Sequence, residues 1–157
     1  MKCLVVIHTE MNYVRNGARY ISDIFDRIAL AIIEAPIVYY LPGGEEIYPR
    51  IGVLIPRMKV MPELTNRSYA SQFLAAKERA IAEGITESVI SGISYGCCVQ
   101  AVHRLFQGGP ILQGIAYFRR EHYKDAAELM RWDEERFERV IKTRISSSID
   151  RILTDAK

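Results

Sequence analysis

The segment Gly92-Ile93-Ser94-Tyr95-Gly96-Cys97-Cys98 gathers the residue types best suited to covalent chemistry: a hydroxyl and two thiols in a glycine-bounded turn. The residues before it, Ser88 to Ser91, form a short β-branched run, and from Val99 to Phe106 apolar residues return at helical spacing. The pattern therefore predicts strand, tight turn, helix. A side chain on the first turn of that helix faces unpaired backbone N–H groups, which favour a thiolate or a developing oxyanion. The bland alternative is an ordinary βα turn whose cysteines pack.

Two further readings of the turn use other atoms. Gly92-Ile93-Ser94-Tyr95-Gly96 is a full Gly-x-Ser-x-Gly match and resembles the nucleophile elbow of α/β-hydrolases, which would make Ser94 the nucleophile of a serine esterase. That arrangement needs an acid and then a histidine later in the chain, and only His103 and His122 follow Ser94. Cys98 to Arg104 has the Cys-x5-Arg count of cysteine phosphatases, but it lacks the internal glycine that lets backbone N–H groups converge on phosphate. Cys3 lies inside an apolar run and reads as packing.

The elements that must position this turn recur regularly along 157 residues, a length that suits one domain spanning 1–157. Cys3 to Ile7 is a continuous apolar run, as expected of a strand buried on both faces of a parallel sheet. After a loop around Asn12 to Gly17, Ile21, Ile24, Phe25, Ile28 and Ile32 share one helical face. Ile37 to Leu41 reads as a second strand, with one ring of Tyr39-Tyr40 in the core and the other lining a crevice, and Ile51 to Ile55 reads as a further strand. Phe73 to Glu83 is helical with Gly84 as its C-cap, and strands follow at Glu87 to Ser91 and Ile111 to Phe118. An extended helix over about 122–154 carries Phe137, Ile141, Ile145 and Ile149, a stripe that must be buried against the sheet or a second subunit.

The expected architecture is a three-layer α/β sandwich around a mainly parallel, doubly wound sheet. Ligands in such sheets bind beyond the carboxyl ends of the strands, where His8 and Cys98 would meet in one crevice. A net charge of +2 gives no electrostatic case for nucleic acid. No apolar run is long enough to span a bilayer, and three cysteines without zinc spacing or a leader fit a reduced, cytoplasmic protein.

The stretch Gly84 to Val99 resembles the isochorismatase-like cysteine hydrolases, whose pattern runs Gly-Ile, a hydrophobic strand, then Gly-Val-x-Thr-x-x-Cys-Val. Leu4 to Val14 is similar to the family's opening, Leu-Leu-Val-Ile-Asp-Met-Gln-Asn-Asp-Phe. Together the similarity covers most of residues 3 to 118. It implies a Cys98 nucleophile acting on a small amide or related small molecule. His8 stands where the family has its catalytic Asp, and Glu10 and Asn12 stand at its Gln and Asp positions. The family's Lys corresponds to Lys59, or to Arg67, because Arg67 to Phe73 resembles Lys-x-x-x-Ser-Ala-Phe. Arg67, Glu10, Asn12, Ser94 and Tyr95 are the candidate substrate contacts. The Asp-x-His metal pair of the nicotinamidase branch has no counterpart in residues 37 to 66, so neither metal nor cofactor is expected.

With His8 in place of a carboxylate, imidazole can serve as base for the Cys98 thiol. Under this reading the backbone near Cys97 and Cys98 forms the oxyanion hole, and Lys59 or Arg67 holds a negative substrate group. The reading from a different class is a domain that has lost hydrolysis and serves as a small-molecule binder or a homo-oligomeric scaffold.

Overall fold

Strand β1 (Lys2–Ile7) owes its unbroken apolar sequence to its place at the centre of the sheet, with Cys3 to Ile7 each 0% exposed. It pairs in parallel with β2 (Val38–Leu41) on one side and β4 (Glu87–Gly92) on the other. The outer strands β3 (Lys59–Val60) and β5 (Ile111–Ala116) complete a five-stranded sheet of order β3-β2-β1-β4-β5, parallel throughout. The computed structural model describes all residues except 1, 18–19, 62–68, 94–97, 106–110, 117–119 and 142–157.

Alternation along β1 divides the core in two. Leu4 and Val6 face helix α2 (Ile21–Glu34), which buries Ile21, Ile24, Phe25, Ile28 and Ile32. Cys3, Val5 and Ile7 face the opposite layer, built by α4 (Tyr69–Ala82) through Phe73, Ala76 and Ala80, and by α5 (Gln100–Leu105) through Val102. Helices thus cover both faces of a parallel sheet, the α/β arrangement expected from the sequence.

Four local expectations are corrected. Met11–Asn16 is a short helix, α1, rather than a loop. Ile51 to Ile55 is not a strand: α3 (Pro49–Gly52), begun by Pro49, and a 3₁₀ turn at Ile55–Arg57 occupy it. The apolar residues Ile51, Leu54 and Met58 recur at helical spacing and all join the α2 side of the core. Tyr39 and Tyr40 are both fully buried, one in each layer, so neither ring lines a crevice.

The fourth concerns the chain from 122, which does not run as one helix. A 3₁₀ turn at Arg120–His122 and α6 (Ala126–Leu129) precede a break, and helix resumes over 134–141. Asp133 causes the restart: its Oδ1 accepts the Arg136 N–H at 2.8 Å, an N-cap bond. Arg120 ties the break together, donating to the Leu129 carbonyl at 3.0 Å and stacking over Phe137. Phe137 and Ile141 are buried with α2, so this part of the stripe packs on its own domain. Ile145 and Ile149 lie outside the described residues. No helix among the described residues is long and apolar enough to cross a membrane.

Candidate functional site at the carboxyl end of the sheet

At the end of β1 the backbone of His8 turns left-handed, with φ +50°. Alternation alone would send this side chain toward α2 with Leu4 and Val6. Instead its ring lies 6.0 Å from that of Phe73, and Nε2 lies 3.4 Å from Gln72 Oε1, both on α4. Histidine is one of the few non-glycine residue types enriched in this conformation. Holding such a conformation costs on the order of 1–3 kcal/mol, and such strain clusters at functional sites.

His8 is 1% exposed, and burial holds its imidazole below its ordinary pKa, opposed by the weaker influence of Gln72. Next to it, Thr9 Oγ1 and the Tyr40 hydroxyl are 3.1 Å apart, and burial pushes the phenol of Tyr40 up to about 12. Glu10 is 2% exposed, and desolvation raises its carboxyl to about 7 against the opposing hydrogen bond from the Gly43 N–H. The loop after β2 closes over these residues. His8 N–H donates to the Leu41 carbonyl at 3.0 Å, Met11 N–H to Glu46 at 2.8 Å, and Tyr48 N–H to Thr9 at 2.9 Å.

Strand β4 brings the second part of the site. Gly92 pairs with Ile7 at a φ of +116°, and the Ile93 N–H donates to the Ile7 carbonyl at 3.0 Å. A Cβ at position 92 would overlap that carbonyl and sit 2.7 Å from Ile7 N, so only glycine allows the two strand ends to meet. Cys98 then lies in a π-helical turn that opens into α5, half-buried against the layer that holds Ile7 and Phe73.

His8 and Glu10 therefore share one cluster beyond β1, and Cys98 borders the same apolar layer that receives the His8 ring. Asn12 is on α1, with Oδ1 buried and without a hydrogen-bond partner among the described residues. Lys59 is directed elsewhere. It is level with Tyr39 in the sheet, and its ammonium is bound by Glu83, which follows α4 on the side where β4 begins. Arg67, Ser94 and Tyr95 lie outside the described residues.

Gln72 is the participant that the motif reading passed over. It is buried on the same α4 stripe as Phe73, Ala76 and Ala80, where a lone amide must find polar partners. That helical spacing was the available signal. No family model, curated protein or solved structure matches the chain.

Proposed function

We propose that this protein is a divergent cysteine hydrolase of the isochorismatase-like kind, acting in the cytoplasm on a small amide or related small molecule. The observation that carries the reading is His8: buried, strained, and turned from its strand's alternation toward the layer that Cys98 borders. His8 takes the Cys98 proton, and the thiolate attacks the substrate carbonyl. The imidazolium returns the proton to the departing amine, and water cleaves the resulting thioester. Because Glu83 binds the Lys59 ammonium, Arg67 is the better candidate to hold a negative substrate group.

The pH dependence of Cys98 alkylation, read by mass spectrometry, tests the pair. Alkylation of Cys98 at pH 7 faster than that of an ordinary thiol, whose pKa is about 8.5, is expected in the native protein. That excess rate should be lost in His8→Asn, a variant chosen because asparagine tolerates the left-handed backbone. Unchanged alkylation in that variant would overturn the pair.

Ligand binding without turnover is the second reading, favoured by the buried Asn12 Oδ1, an acceptor that a ligand donor could satisfy. An inert Cys98 combined with saturable binding of a small amide would select it.

A further inference from the structure

The Gln72 side chain joins two groups whose hydrogen-bonding roles are unequal. Its Nε2 is 2.7 Å from the Pro42 carbonyl oxygen, and its Oε1 faces His8 Nε2. A carbonyl can only accept, so the amide end facing Pro42 must be the NH2 group. The opposite end is then the oxygen, which also can only accept, and the ring nitrogen facing it must carry hydrogen. We propose that Gln72 is a positioning residue that fixes His8 as its Nε2–H tautomer, leaving Nδ1 as the basic nitrogen of the site.

The carbonyl that begins this chain of constraints is itself fixed on both sides. Leu41, before Pro42, accepts the His8 N–H, and Gly43, after it, donates to Glu10. Residues 8 and 10 thus clamp the peptide that orients Gln72, and Gln72 orients the ring of residue 8. The clamp closes on itself through three elements: the end of β1, the loop after β2, and α4. Burial supports the assignment, because it disfavours the doubly protonated imidazolium that would erase any tautomer choice.

The catalytic meaning of the tautomer rests on the proposed Cys98 chemistry: the thiol proton would go to Nδ1, the ring nitrogen nearer the backbone. The tautomer itself does not depend on that chemistry.

Long-range ¹H–¹⁵N correlation spectra of the full chain with ¹⁵N-labelled histidine, at pH 7, test the proposal. The chain has three histidines, and loss of one set of signals in His8→Asn assigns residue 8. The native protein should show a single Nε2–H pattern for His8. An Nδ1–H pattern would overturn the proposal, and this reading needs no Gln72 variant to fold.

Gln72→Leu removes the acceptor and should give mixed or exchanging tautomers. An unchanged pattern in Gln72→Leu would also overturn the proposal. If the tautomer is as stated and Cys98 is inert, the hydrolase reading fails and the assignment stands.

Discussion

Two clusters of ionisable and polar side chains sit at opposite ends of the sheet, and their surroundings give them different characters. Beyond β1, His8 and Glu10 are almost wholly buried, and both are pushed toward their neutral forms by desolvation. At the other end, Glu83 accepts hydrogen bonds from Lys59, Tyr39 and Arg79, and these hold its carboxyl down to about 2. Its side chain is 30% exposed, with Lys59 and Arg79 more open still. The first cluster is desolvated and strained, which costs stability; the second is open to water and ion-paired, with Glu83 joining Lys59 and Arg79, which braces α4 against β2 and β3. Perturbation by burial at strand ends marks a candidate site, whereas perturbation by ion pairing on an open surface marks a brace.

The largest effect should come from Gly92→Ala. The new Cβ meets rigid backbone rather than the far end of a side chain, and the positive φ adds strain. A loss above about 4 kcal/mol, or failure to fold, is expected in urea denaturation. A loss under about 1 kcal/mol would show that the ends of β1 and β4 can separate, and the tight junction that sets the first cluster apart would be gone.

Glu10→Gln should act next, with the opposite sign. The folded carboxyl titrates at about 7 against 4.5 in the ordinary state, so the folded protein binds more protons between these values. Its favourable contribution is therefore complete below about pH 4.5 and disappears as pH rises through 7. At about 1.4 kcal/mol per unit, the native protein forfeits about 3 kcal/mol by pH 8. Gln keeps an oxygen for the Gly43 N–H and has no charge to bury. The variant should be the more stable protein at pH 8, with the gap closing toward pH 4.5. Equal stability at pH 8 would show that Glu10 is solvated after all.

The scaffold was legible in the sequence because strong periodicities specify it. The run Cys3 to Ile7 announces a strand covered on both faces, and the isoleucine face of α2 is unmistakable at a 3.6-residue repeat. Short elements were less legible: Ile51, Leu54 and Met58 span too few residues to separate helix from strand by composition. The break at 130–133 was hidden because Phe137 and Ile141 continue a four-residue rhythm that Asp133 restarts rather than extends. His8 and Glu10 could be named from their place after β1. The turn of His8 toward α4 could not, because a left-handed residue reverses alternation without any mark in the sequence. The surroundings of Lys59 were hidden for a related reason: a lysine at a strand offers charge, and only the fold shows that Glu83 pairs with it.

The smallest effect should come from Glu83→Gln, and its pH dependence is the mirror of that of Glu10. A carboxyl whose folded pKa is depressed adds stability that is present above 4.5 and lost as pH falls toward 2. The substitution should therefore destabilise at pH 7, by less than Glu10→Gln moves the protein at pH 8, and the deficit should shrink as the medium is acidified. Because the cluster is open to water, 1 M salt should reduce the deficit at pH 7 by screening, while leaving the Glu10→Gln gain largely in place. Thermal melts of both variants at low and high salt read the two together. If salt weakened both effects alike, the two ends would share one electrostatic regime, and burial would no longer distinguish the candidate site from the brace.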